Sequence, residues 1–338
     1  MNDLLKYYFK ENKILFVGPL PPPIGGVSIH LSRITNSLEQ NGFDVSVFNT
    51  SKNYLISYIK LLLLLLKILL NNYDIVHIHS TRKNIIKTVL FAKNIKIFKL
   101  YFTDHNPRLF STSKHNKEFY LKFFTKIDLL IAVSNEVINN YIKEGLTLPD
   151  KYLIQNAFFP PDLKKEKCIY NNYDKIIKQF IKNSSPLLVA SAYKLSFINN
   201  TDLYGLDLCI ELTKNLLIKY KYTNVGFIFA LPDTSENPNK LKKYYKHIQE
   251  SISNHFIIIT QPIELWPLIK RATIFIRPTI TDGDSLSIRE ALMFGKPVIA
   301  SDSCARPESV ILFKNRDVED LTYKTIQTLK DIKYERDI

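Results

Sequence analysis

A chain of 338 residues with 46% apolar side chains is longer than one hydrophobic core usually supports, so two domains are expected. The formal net charge of +14 points toward anionic partners, but the chain has no basic helix with interleaved aromatics and no nucleic-acid module, which sets nucleic acid aside. Three cysteines, Cys168, Cys209 and Cys304, are odd in number and form no CxxC pair, which fits a reducing compartment and buried thiols.

The charge is unevenly placed. Residues 1–160 hold 20 Lys/Arg against 11 Asp/Glu, and within 82–126 alone eleven basic residues face only Asp104 and Glu118. Such a patch suits anionic lipid or a phosphorylated acceptor; a lysine-rich solvated surface is the alternative. The N-terminal stretch is short and charged at both ends, with no h-region and no small-residue cleavage site. A signal peptide is therefore not expected.

In chain order, Lys13 to Gly18 reads as a strand, followed by a proline-rich loop ending in Gly25–Gly26 and a helix from Val27 to Gln40. Paired glycines before a helix allow a ligand to approach the backbone, although the spacing is not the dinucleotide fingerprint GxGxxG. A proline-stiffened turn is the plainer reading of the loop alone. Phe43 to Phe48 is the next strand. Tyr54 to Leu70, with six consecutive leucines at 61–66, is far shorter in its apolar run than a spanning helix needs. It is expected to be a buried helix on a sheet, with a membrane-surface helix as the second reading.

Asp74-Ile-Val-His77-Ile-His79-Ser80 reads as a strand with both histidines on one face. An HxH pair could bind metal, but no third ligand is signalled nearby, so no metal is expected; His79 should reach the carboxyl edge and His77 be packed. Ile97 to Thr103 is a strand ending in Asp104–His105, which places His105 where α/β proteins bind ligands. Asp128 to Val133 and the helix to about Lys143 follow. Residues 160–185 are polar and Lys/Asn-rich between prolines and mark the expected boundary.

The alternation then restarts: strand Pro186–Ala190, a loop through Asn200, helix Leu203–Tyr220, strand Val225–Ala230, helix Pro238–Ser253, strand Phe256–Thr260, and a short helix around Trp266. The richest stretch comes next. An apolar strand stops at Pro278; a loop carries Asp282, Gly283 and Asp284; a helix begins near Ser285 with Leu286, Ser287 and Glu290; a second strand starts at Val298. A strand–loop–helix of this kind can hold an anion at the helix N-terminus. Ser287-Ile-Arg-Glu290 reads equally well as a capping box. A last helix runs from Val318 to about Lys333. The whole is two α/β parallel-sheet domains, over 1–165 and 180–338.

These motifs, in this order, resemble the GT-B-fold glycosyltransferases of the large retaining family 4 type, which build bacterial polysaccharides and glycolipids. The resemblance rests on Gly25–Gly26, on His77 and His79, on Thr103-Asp104-His105, and above all on Asp282–Gly283 through Glu290 with Gly295-Lys-Pro-Val-Ile-Ala-Ser301-Asp302. It implies two Rossmann-like domains facing a cleft, the first on the acceptor side and the second binding a nucleoside diphosphate sugar. It implies that Glu290 bonds the ribose hydroxyls, that Asp282 and His105 contact the transferred sugar, and that Ser285 and Leu286 amides hold the pyrophosphate under Gly25–Gly26. His79, Asp104, Gly283, Asp284 and Ser287 would complete the substrate contacts, with no cofactor.

Two departures stand out. The first motif carboxylate is Asp282 rather than glutamate. The family's arginine–lysine pair after the first strand of the second domain is missing, leaving Lys194 in that loop, with Arg277 or Arg289 as further candidates. The expected function is retaining, metal-independent transfer to a lipid-linked or saccharide acceptor at the inner face of the cytoplasmic membrane, docked on anionic lipid. A nonhydrolysing sugar-nucleotide epimerase and a degenerate nucleotide-sugar-binding protein are the alternatives.

Overall fold

The computed structural model describes residues 12–22, 24–51, 57–106 and 114–336. Residues 1–11, Tyr54 at the expected start of the leucine-rich helix, and Arg108 of the basic segment lie outside them. The chain divides into two compact units, Met1–Phe159 and Pro160–Ile338.

The first unit runs β1 (Lys13–Gly18), α1 (Gly26–Gln40), β2 (Asp44–Asn49), α2 (Ser57–Leu70), β3 (Ile75–Ile78), α3 (Lys83–Ile95), β4 (Lys99–Asp104), α4 (Lys114–Phe124), β5 (Leu129–Ala132), α5 (Asn135–Lys143) and β6 (Tyr152–Ile154). All six strands are parallel, in the order β2-β1-β3-β4-β5-β6. The apolar runs of β1 and β5 are uninterrupted because both faces are covered, whereas the edge strands β2 and β6 are partly exposed. Along β1, Leu15 and Val17 join one core while Ile14 and Phe16 join the other. The order reverses between β1 and β3, and ligands gather at the carboxyl ends of strands at such a switch.

The second unit repeats the plan. It runs α6 (Glu166–Asn171), α7 (Lys175–Asn183), β7 (Leu187–Ser191), a hairpin of β8 (Phe197–Ile198) and β9 (Thr201–Asp202), α8 (Leu206–Ile218), β10 (Gly226–Ala230), α9 (Pro238–Ser251), β11 (Phe256–Ile259), α10 (Trp266–Ile269), β12 (Ile274–Arg277), α11 (Leu286–Met293), β13 (Val298–Ser301), β14 (Ile311–Phe313) and α12 (Val318–Arg336). The parallel order is β11-β10-β7-β12-β13-β14, with the reversal between β7 and β12.

Two expectations need correction. The polar 160–185 segment is no linker: α6 and α7 turn Tyr173 and Ile177 into a core of the second unit, so the division falls at its start. Its apolar residues recur at helical spacing beneath the lysines and asparagines that dominate its composition. The leucine-rich helix α2 is buried on one face only, through Leu64 and Ile68, while Tyr58 and Leu70 are 85% and 78% exposed. The basic stretch carries most of its lysines on two helices, α3 and α4.

Gly205 ends the loop before α8 at φ +69°, and a Cβ there would sit 2.7 Å from the Pro278 carbonyl oxygen. Gly42 also has positive φ (+80°) but faces open space. Gly205→Ala is expected to lower unfolding stability by about 2–4 kcal/mol and Gly42→Ala by about 1–2 kcal/mol, because only the former adds a backbone clash to left-handed strain. Denaturant midpoints of the two variants measure the difference, and equal losses would show that the Pro278 contact is not decisive.

Candidate active site

In the second unit, β12 delivers Arg277 to the carboxyl edge and Pro278 ends the strand. The Arg277 guanidinium bonds both oxygens of Asp282, at 2.9 and 3.1 Å, and donates from Nη1 to the Ser191 carbonyl at the end of β7, at 2.7 Å. One side chain thus bridges the switch point and fixes the loop. Arg306, which the sequence did not single out, approaches Asp282 from the other side at 3.0 Å and donates to Thr279 Oγ1 at 3.0 Å. Its side chain is 3% exposed. Burial alone would raise the Asp282 pKa, but Arg277 and Arg306 outweigh it and hold the carboxyl below its usual range. A buried carboxylate with two bound guanidiniums carries a net positive charge.

The loop is also tied to its neighbour. Ile280 N–H donates to the Leu203 carbonyl, and Asp202 accepts from the amides of Tyr204 and Gly205. Gly205, lacking a Cβ, permits the close approach to Pro278.

Ser285 is the N-cap of α11, its hydroxyl accepting from Ile288 N–H at 3.5 Å. The first-turn amides of Leu286 and Ser287 therefore point out of the helix end. This settles one open reading: Ser287 lies inside the helix, so Ser287–Glu290 is not a capping box. Glu290 sits in the second turn and is 4% exposed. Asp284 is paired with Arg289 at 2.6 Å, and Gly283 lies in the loop between the two aspartates. Lys194 is half-exposed and paired with Glu236 at 2.6 Å. Surface pairs of this kind are worth about 0–1 kcal/mol, so Lys194 can be drawn away.

In the first unit, the carboxyl edge carries a histidine cluster. His77 is fully buried and its Nε2 meets Thr103 Oγ1 at 2.7 Å. His79 Nδ1 lies 3.2 Å from His105 Nε2. Gly18 closes β1 because a Cβ there would stand 2.9 Å from the His79 Cβ. His30 on α1 also belongs to the group, its ring centroid 4.9 Å from that of His105 and 5.3 Å from that of His79. Its place in the buried i, i+4, i+8 series with Ile34 and Leu38 is the signal that could have found it. His105 is half-buried; His79 is buried. Desolvation lowers the pKa of His30 to about 4 and those of His77, His79 and His105 well below the usual value.

Asp104 is fully buried. It accepts from the Tyr141 hydroxyl and from Asn106 N–H, the latter at 2.8 Å, and burial pushes its pKa up to about 6. These bonds hold the turn that presents His105. Gly25 and Gly26 open α1; Gly25 N–H donates to Ser28 Oγ at 2.9 Å, and the space beside Gly26 is open. A groove of about 960 Å³ along Lys99, Asp128 and Lys151 lies at the amino ends of β4 and β5, the edge opposite these groups.

Residues 195–331 match the model described as glycosyl transferases group 1. The match lies within the second unit. Protein CapJ of Staphylococcus aureus is 28% identical over 200 residues, 56% of this chain and 46% of CapJ, so the chain spans about half the length of that relative. Anabaena HepE, solved with UDP and glucose, matches with a TM-score of 0.70 at 15% identity over 96% of this chain and 91% of its own. A Rickettsia africae glycosyltransferase matches at 0.65 and 17% identity over 95% and 89%. A sucrose-phosphate synthase from Thermosynechococcus elongatus matches at 0.66 and 11% over 94% and 90%. The fold is GT-B, as the group 1 motifs imply.

Asp282→Asn removes the one charge holding two buried guanidiniums. Thermal or denaturant unfolding without ligand should show a loss of about 3–5 kcal/mol, as when one partner of a buried ion pair is deleted. A loss within about 0.5 kcal/mol, the range of ordinary surface substitutions, would mean that the network does not organise the loop.

Proposed function

We propose that the protein transfers a sugar, with retention of anomeric configuration, from a nucleoside diphosphate sugar to a hydroxyl of a lipid-linked saccharide in surface-polysaccharide synthesis. The observation that carries this is the β12–loop–α11 unit within a group 1 domain: a capped helix whose first amides point outward, with Glu290 buried one turn in. Glu290 bonds the ribose hydroxyls, and the Ser285 to Ser287 segment holds the diphosphate. HepE was solved with UDP-glucose and with UDP, which favours a UDP-sugar donor here.

Departure of the diphosphate develops negative charge, which fixed donors and cations stabilise without reorganisation. Lys194 supplies the adjustable cation in place of the family's pair, and the Arg277–Asp282–Arg306 network supplies fixed positive potential. Protein groups meet this charge, and no metal ion enters that step.

The acceptor reading draws on the first unit's surface. On α2, Tyr58, Ile59, Leu62, Leu63, Leu66 and Leu70 face outward, and α3, which shares the same core layer, adds exposed Phe91 and Ile95. Arg82, Lys87 and Lys99 are also exposed. An apolar face edged by cations suits the anionic inner leaflet of the cytoplasmic membrane. Among the described residues no helix is long and apolar enough to cross a membrane.

Two experiments test these readings. In a thermal-shift panel of UDP-, GDP- and dTDP-sugars, UDP compounds should stabilise selectively. Glu290→Ala should weaken UDP binding roughly 10–100-fold, the worth of a hydrogen bond to a charged group, and Lys194→Ala should lower transfer about a hundredfold. Unchanged transfer from a radiolabelled donor in both variants would overturn the site assignment. Separately, the protein should sediment with anionic vesicles at low salt, and Leu62→Gln with Leu63→Gln should weaken that at least tenfold, since each buried leucine is worth about 1.5–3 kcal/mol. Absence of vesicle binding at low salt would remove the docking proposal.

A further inference from the structure

We infer that His30, His79 and His105 form a site for a divalent transition-metal ion, with zinc as the fitting species. The inference is independent of the transfer reading and concerns the first unit alone. Of the HxH pair His77 is engaged by Thr103 and only His79 takes part; the fold brings to it His30 from α1 and His105 from just after β4. One ligand atom from each of the three residues lies within 4.8 Å of the others. The 3.2 Å separation of His79 Nδ1 and His105 Nε2 is close to the edge of about 3.3 Å that two nitrogens make in a tetrahedral zinc site. Small ring rotations close the remaining separations.

The surroundings favour a cation ligated by neutral imidazoles. His30 Nδ1 lies 2.7 Å from the Ala157 carbonyl, so Nδ1 carries the proton and Nε2 the lone pair. A backbone carbonyl in this position is the usual orienting partner of a metal-bound histidine. The Nε2 atom of His30, the one left free by that bond, is buried with no hydrogen-bond partner, and such an atom is costly to leave unpaired. His30 and His79 are 2% and 3% exposed, walled by Phe16 and Phe159, while half-buried His105 marks the side from which an ion enters. An all-imidazole set suits Zn²⁺, Co²⁺, Ni²⁺ or Cu²⁺ and disfavours Mg²⁺ and Ca²⁺. Three protein ligands leave a fourth position open to water or a hydroxyl.

The test uses the full-length, untagged protein stripped with chelator. Titration with Co²⁺ should produce visible ligand-field absorption saturating at one ion per chain, displaced by Zn²⁺ and unaffected by Mg²⁺. X-ray absorption of the zinc-loaded protein should count three imidazoles. Zn²⁺ should raise the thermal midpoint of the native chain but not of His105→Asn, whose affinity should fall at least a hundredfold. His247→Ala, on the surface of the second unit, should bind as the native chain does. Absence of saturable Co²⁺ absorption, or a zinc shell of oxygens, overturns the site, as does loss of binding in His247→Ala. If His105→Asn fails to fold, the absorption spectrum of the native chain decides alone.

Discussion

The uniform direction of the strands is the constraint from which the rest of the molecule follows. In each six-stranded sheet every strand ends at the same edge, so loops, helix starts and polar side chains collect there while the central strands stay largely apolar on both faces. Where the strand order reverses, two loops diverge and leave a recess. The Gly18, His79 and His105 group stands at that point in the first unit. In the second, Arg277 and Ser191 stand there, joined by a hydrogen bond across the two central strands.

Much of this was legible in sequence because periodicity and glycine placement report on backbone geometry directly. The strands ending at Gly18, Asp104 and Arg277 read clearly, since an apolar run halted by glycine, a charged pair or proline has few other interpretations. The start of α11 at Ser285 was equally plain. What failed were elements whose composition masks their pattern. The segment of α6 and α7 buries Tyr173, in the link between them, and Ile177 of α7 under a coat of lysine and asparagine. Helix α2 erred the other way: its leucines promised complete burial, but a helix lying on one sheet face has only one side to bury.

The site residues divide along the same line. Glu290 and Ser285 could be singled out because they belong to a contiguous motif. Arg306 was missed because it meets Asp282 only through the tertiary fold, 24 residues away. His30 lies 75 residues from His105 in the chain and beside it in space. Sequence reading also gave Asp282 and Asp104 simple ligand roles, whereas the structure shows both carboxylates engaged, one by guanidiniums and the other by a tyrosine hydroxyl and a backbone amide. Buried acids require internal partners, and those partners come from distant segments that spacing does not reveal.

The imbalance of two guanidiniums against one carboxylate leaves a local excess of one positive charge among buried side chains at the end of β12. Burying charge is costly unless it is balanced. Salt ions that gather near the loop lower that cost, so the ionic composition around the protein bears on how firmly this part of the second unit is held.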